Sequence, residues 1–431
     1  MTPEELVELA REHEVEFVDL RYMELPAACA HVTIPVAEFT APRVAGGFAC
    51  GGDRRLVPDA ESAFLDPFCQ HPTLALLCDS RDARTGRDDP RDPRAVARRA
   101  ERYLTTSKIA DAAHCAADVQ FFVFDQAVYE QGLHTARYKV DSREGAWRRG
   151  RDEADNLGTQ LRIGEGHGAL MPADSLQNLR SEMVAALGAC SVPVRAHRHG
   201  PATGGQATIS LQPAPLLRLA DRLMICKYVV RNVAARHGKV ATFMPQPLFG
   251  ERGSGLPIGL SLLKDGQPLL GTAGQSDQGR WALGGWRRHA ASLLALTCPT
   301  TNSYRRLAAE LGGTGGDAAL FAPADADAAG WIGFTAADLS CNPYLACSAL
   351  LLAALDGIVQ RTEPGSLPAC LPPVTLDAAL AALESDHAYL QAGDVLTADW
   401  LGTWIAQKRR DEIAALRVRP HPYEFCLYFD V

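Results

Sequence analysis

The run from Tyr344 to Val359, YLACSALLLAALDGIV, limits the fold more than any other stretch of the chain. An apolar segment of this kind must be enclosed by other elements if it forms a helix. Asp356 and Gly357 interrupt it before the roughly 20 residues that a membrane crossing needs, so it reads as a buried helix and no membrane partner is expected. The 431 residues can supply the enclosing shell. Two or three domains are expected, because single cores stop growing at roughly 250 to 300 residues.

A second stretch, Cys115 to Asp125 (CAADVQFFVFD), alternates like a strand and sets Asp118 and Gln120 on the same side of a sheet. Two carboxylates at that spacing would make half of a metal cup, but the second is an amide. Upstream, Thr2, Pro3 and Glu5 form a helix start with a capping box, predicting a helix to about His13. VEFVDLRYM and HVTIPVAEF follow as strands, so residues 1 to about 85 form a small mixed unit. The charged stretch Arg81–Arg94, rich in turn formers, reads as a linker, and Ala95–Ser107 as an amphipathic helix. Beyond it, helices are expected near Ser175–Leu187, Leu216–Arg236, Arg280–Leu296, Pro343–Val359, Leu376–Gln391 and Thr397–Leu416, with strands at PVRAHRH and QATISLQP. Ala308–Gly330, made of small residues, reads as a mobile surface loop.

With 51 acidic against 43 basic side chains and a net charge of -8, the chain lacks the basic surface that nonspecific nucleic-acid binding requires. Its twelve cysteines form no Cys-x-x-Cys pair and its start is acidic, which suits reduced thiols in the cytoplasm. The glycines at 250, 253 and 255 lack the Gly-Lys-Ser/Thr ending of a phosphate loop. His197 and His199 flank Arg198 on a strand and face one way, as a metal pair would. A polar pair at a pocket or interface is the favoured reading, because no third ligand can be named.

Longer segments carry a resemblance. VEFVDLRY with HVTIPV, RDPRAVARRAERYLTTSKIAD, FFVFD, SLQNLRSEM, KYVVRNVAARHGKVATFMPQPLFGERGSG, PTTNSYRRL, NPYLACSALLLAALDGI and RVRPHPYEFCLYFDV occur in this order over nearly the whole chain. Together they resemble type I bacterial glutamine synthetase. The resemblance implies an α+β fold, with an N-terminal β-grasp domain at 1–85 and a glutamine synthetase-type catalytic α/β domain at 86–431 that ends in a clasp. It also implies homo-oligomers of two stacked hexameric rings with active sites between neighbours. In that family ATP phosphorylates the side-chain carboxylate of glutamate, two divalent metals hold the phosphates, and ammonia displaces phosphate.

Carried over position by position, the resemblance implies changed chemistry. Asp118 and Gln120 stand at two metal carboxylates, Gly200 and Thr208 at two more, and Arg198 at a histidine. Pro257 stands at a metal histidine and Gly259 at a nucleotide-contacting one; Ala49 replaces the ammonium aspartate and Gly312 the flap glutamate. Arg306 matches the arginine that grips the substrate α-carboxylate, Ser261 a nucleotide-pocket serine, and His167 a tyrosine lining the glutamate site. The leading expectation is therefore a homologue that holds no metal and no cofactor and does not make glutamine. It would act as a binding, scaffolding or regulatory oligomer, with a small amino acid-like ligand or in mixed rings with an authentic synthetase. A second reading is a repurposed, metal-independent enzyme of amino or acyl chemistry using Asp118, His167, His197, Arg198, His199, Cys50 and Arg306. A third is an ordinary synthetase with an unusual metal site.

Overall fold

The computed structural model describes residues 1–26, 28–152, 158–271, 276–311, 320–322, 330–366 and 373–431. Helix α1 (Pro3–Glu12) starts as expected: the Thr2 hydroxyl accepts the Glu5 N–H at 3.2 Å, and the Glu5 carboxylate accepts the Thr2 N–H at 2.7 Å. Strands β1 (Phe17–Glu24) and β2 (Ala28–Pro35), helix α2 (Ala41–Gly46), then strands β3 (Phe48–Ala49), β4 (Arg54–Pro58), β5 (Phe64–Leu65) and β6 (Thr73–Asp82) complete the first unit. Its sheet runs β2-β1-β6-β4-β3, with β1 antiparallel to β2 and parallel to β6. Leu6, Val18, Leu20, Leu56, Leu74 and Leu76 form its core.

The stretch Arg81–Arg94 is not a free linker. Asp92 caps helix α3 (Pro93–Ser107) through the Arg94 N–H at 3.0 Å and also accepts the Ser80 N–H at 2.8 Å. Arg94 is wholly buried. Its charge is neutralised by carboxylates from distant segments, which local composition cannot reveal.

A second sheet forms around the long strand β7 (Ala112–Phe124). After the hairpin β8 (Gln126–Gln131) and β9 (Ala136–Asp141) come α4 (Gln177–Ala189), β10 (Val194–His199), β11 (Gln206–Leu211), α5 (Leu216–Arg236) and β12 (Ile258–Lys264). Next are helices α6 (Asp277–Arg288) and α7 (Ala290–Thr297), strand β13 (Ile332–Phe334) and helix α8 (Pro343–Gln360). The sheet order β10-β11-β7-β12-β13 makes β7 central. Ala113, Cys115, Ala117, Val119 and Phe121 of β7 enter the main core, whereas His114, Ala116, Asp118 and Gln120 lie half-buried on the opposite face.

Helix α8 contains the apolar run Tyr344–Val359. It is long and apolar enough to cross a membrane, but 78% of it is buried inside the molecule, packed against α3, α5, α6 and α7. Its approach to α6 depends on glycine. A Cβ on Gly285 would lie 2.0 Å from the Ala353 carbonyl oxygen, and one on Gly357 would lie 2.2 Å from that of Trp281. Gly285→Ala should therefore lower the unfolding free energy by about 1 to 3 kcal/mol, measured by urea titration, because overpacking forces the helices apart. An unchanged midpoint would mean that the contact can yield.

Two expected helices are broken. His289 divides Arg280–Leu296 into α6 and α7, held by Asp386 at 2.8 Å and Asp356 at 3.0 Å. The segment expected to be helical to Gln391 ends at Ser385 and continues as a 3-10 stretch, Ala388–Asp394, in which Gly393 takes φ 63.

Candidate functional site

The open face of β7 organises the site. Pairing sets Ser210 opposite Asp118, Thr208 opposite Gln120, Gly259 opposite Ala116 and Ser261 opposite His114, while Arg198 of β10 lies opposite Thr208. Directly opposed residues share a sheet face, so these side chains meet on one surface. Arg198 donates from Nη2 to Asp118 Oδ2 at 2.6 Å and from Nη1 to Ser210 Oγ at 3.0 Å. Its side chain keeps 38% exposure, so the guanidinium is fixed yet reachable. Gln120 points its amide oxygen at the Gly255 N–H, 2.7 Å away.

The histidines that flank Arg198 face the other way, as strand alternation dictates. His197 meets Ser181 Oγ at 3.3 Å. His199 is buried, with Nδ1 against the Gly200 carbonyl at 2.6 Å and Nε2 against Glu144 at 3.0 Å. The second Glu144 oxygen accepts the Ser175 N–H at 2.6 Å and its hydroxyl at 2.9 Å. Nearby, Asp174 is held by both terminal nitrogens of Arg180, at 2.9 and 2.5 Å. Asp118 and the His197/His199 pair are thus separated by the sheet and form no common cluster.

Burial alone would depress the His199 imidazolium, but the hydrogen bond and charge of Glu144, the Gly200 carbonyl and Asp174 together hold its pKa above the ordinary 6.5. A raised value means that the stabilisation is complete below 6.5 and is lost as pH climbs through the folded value. The stability advantage of the native chain over Glu144→Gln should therefore shrink as pH rises from 6.5 through the raised folded value, followed by chemical unfolding. A constant difference across that range would show that His199 stays neutral.

The metal positions implied by the resemblance are poor in donors. Gly200, Pro257 and Gly259 bring no side-chain ligand, Thr208 is buried, the Gln120 oxygen is engaged, and Asp118 is neutralised by Arg198. These positions do not fit a pair of divalent cations. Among the described residues, Glu144, Asp174 and His199 are the one group whose ligand atoms lie within 4.8 Å of one another. Their carboxylates are already engaged by Ser175 and Arg180, and both ring nitrogens of His199 have hydrogen-bond partners.

The other sequence-derived positions scatter. Ala49 is exposed on β3 and Cys50 is half-buried beside it. His167 is exposed, one residue beyond Gly166, whose N–H bonds to the Pro201 carbonyl at 3.1 Å. Ser261 is buried on β12. Arg306 is 1% exposed, its guanidinium taken up by Glu310 at 2.7 Å and by the Ala336 carbonyl. Gly312 and most of Ala308–Gly330 lie outside the described residues.

Sequence reasoning missed Glu144, the Asp174–Arg180 pair and Gln206. Gln206 accepts the Ala202 N–H at 2.9 Å and donates to the Gly253 carbonyl at 2.7 Å, pinning both turns that border the site. An Asp six residues before an Arg at a helix start was the one legible signal among these.

Comparison with known proteins places this architecture. The model for the glutamine synthetase catalytic domain matches residues 90–428. A glutamine synthetase of Frankia alni is 39% identical over 99% of both chains, and one of Streptomyces coelicolor is 40% identical over 97% of both. A solved glutamine synthetase of Plasmodium falciparum shares the fold with a TM-score of 0.89 at 21% identity, covering 99% of each chain. These full-length relatives overturn the expectation of a scaffold that does not make glutamine, and that of a repurposed enzyme. Bearing the name glutamine synthetase from end to end, they point to a synthetase.

Proposed function

Because this chain belongs to the glutamine synthetase family, we propose that it is a synthetase of that family: a ligase that joins ammonia to the side-chain carboxylate of glutamate at the expense of ATP. The observation that carries this reading is the end-to-end match to relatives of that name at 35% to 40% identity. In such a reaction the glutamate carboxylate takes the terminal phosphoryl group and releases ADP; ammonia then attacks the acyl carbon and phosphate leaves. The protein's share of such chemistry is mainly positioning and charge neutralisation.

No step is assigned to a metal, because the positions described above do not fit one. The chain's own contribution centres on Arg198, whose cation is oriented by Asp118 and Ser210 and faces the open side of the sheet. Gln120 and Gln206 hold the turns at Gly255 and Gly253 beside it. Ser261 lies on the same face. His199, through Glu144, steadies the turn that follows Arg198, and His167 borders it.

The same reading divides the chain near residue 85 and places it in the cytoplasm. It also builds the particle from two stacked hexameric rings. Support for assembly comes from the last helix, Pro422–Tyr428, and the residue that ends it, where Tyr423, Phe425, Leu427, Tyr428 and Phe429 are exposed. Mass measurement in solution should find an oligomer.

The decisive assay incubates purified chain with glutamate, ammonium and ATP, with magnesium or manganese, beside an authentic synthetase. Glutamine and phosphate should appear in equal amounts. Absence of both with either metal, while the authentic enzyme works, overturns the proposal.

A further inference from the structure

A cavity of about 840 Å³ lies where the first sheet meets α5, away from the open face of β7. One wall is Phe17, Asp19 and Arg21 of β1 with His31 and Thr33 of β2; the other is Lys227, Tyr228 and Arg231 of α5. Its size suits a small molecule, and junctions between structural units are common places for such sites.

The charge of this cavity is unbalanced. Asp19 is the one carboxylate lining it among the described residues, and its oxygens already accept from His31 at 2.7 Å, Thr33 at 2.8 Å and Arg21 at 2.7 Å. Arg21 is also engaged by Asp66. Lys227 and Arg231 have no carboxylate partner among the described residues. Lys227 is 7% exposed, and its Nζ makes one hydrogen bond, to the Leu339 carbonyl at 2.9 Å, leaving two N–H donors. Burial pushes its pKa down to about 8, and the charge of Asp338 offsets only part of that. Arg231 stands one turn further along, its guanidinium 5.2 Å from the Phe243 ring centre. Buried cations are ordinarily paired, so a lysine with no carboxylate at bonding distance in the wall of a cavity is a feature that a ligand can complete.

We propose that this cavity binds a small dianion, a dicarboxylate or a phosphate ester, whose charge is met by Lys227 and Arg231 and whose body lies against Tyr228 and Phe17. A ligand there would touch both the first sheet and α5, and so would bear on how the two units sit together.

The test is calorimetric titration of the full chain with succinate and, separately, inorganic phosphate, with uncharged succinamide as control. The Arg198→Met variant is titrated in parallel, so that binding at the proposed synthetase site is told apart from binding here. At least one anion should bind once per chain, in the native protein and in Arg198→Met alike. Lys227→Met and Arg231→Ala should each weaken it tenfold or more, and succinamide should not bind. Binding of succinate alone assigns the site to carboxylates, and of phosphate alone to phosphoryl groups. Because Arg231 is exposed, its variant remains informative if Lys227→Met fails to fold. The proposal is overturned if neither anion binds, if Arg231→Ala binds as the native chain does, or if Arg198→Met abolishes the signal.

Discussion

Arg94→Met should lower the unfolding free energy by about 3 to 5 kcal/mol, the typical cost of removing one partner from a buried ion pair. The guanidinium donates to Asp221 at 2.9 and 2.8 Å, to Asp79 at 2.5 Å and to Asp59 at 2.8 Å. Asp79 lies on β6, Asp59 in the turn after β4 and Asp221 on α5, and the Tyr344 hydroxyl of α8 donates to Asp221 at 2.7 Å. One side chain therefore ties four segments, and a methionine of similar length would strand three carboxylates. Arg98 and Arg218 reach some of the same oxygens, at 2.7 Å to Asp59 and 3.1 Å to Asp221, but both are partly solvated and replace only part of the charge. Urea titration of the variant measures the effect. A loss below about 1 kcal/mol would show that these two arginines suffice, placing the cluster with ordinary surface pairs.

The same cluster should make the chain sensitive to acid. Burial alone would raise the Asp59 pKa, but Arg94, Arg218 and Arg98 outweigh it and bring the value from 3.8 down to about 2. The stabilisation is present above 3.8 and is lost as pH falls through the folded value. In Arg94→Met this part of the acid dependence should flatten.

How far the chain could be read from its residues depended on the range of the forces involved. The capping box at Thr2, the strand character of β7 and the enclosure of α8 follow from neighbours within a few residues, and each was legible. Arg94 was not, because its three carboxylates lie 15, 35 and 127 positions away. Its own surroundings, RDDPRDPR, look like solvated linker. The break at His289 escaped for the same reason: Asp356 and Asp386 arrive from later helices. At the site, alternation placed Asp118 and Gln120 correctly on one face and set Arg198 opposite in direction to its flanking histidines. What sequence could not show was that Arg198 would close on Asp118, or that Glu144 would claim His199. Function is decided at another level: replaced side chains suggest lost activity, whereas relatives named glutamine synthetase match the chain from end to end.

Arg198 also gives the sharpest test of the proposed site. In an active preparation, Arg198→Met should lower kcat/KM by about 100-fold or more, the usual scale for removing a preorganised donor from developing negative charge. Stability should hardly change, because the pair is partly solvated, with 38% and 23% side-chain exposure for Arg198 and Asp118, and such pairs contribute about 0 to 1 kcal/mol. Asp118→Asn keeps the cation and loosens its orientation, so its loss should be smaller and fall mainly on kcat. Combining the two changes should cost little more than Arg198→Met alone, since Asp118 acts only through the arginine. His167→Ala, which alters an exposed side chain at the border, should stay within a few-fold of native. If Arg198→Met turns over at the native rate with unchanged KM, the open face of β7 is not where substrate charge is met. The reacting groups must then be sought elsewhere on the chain.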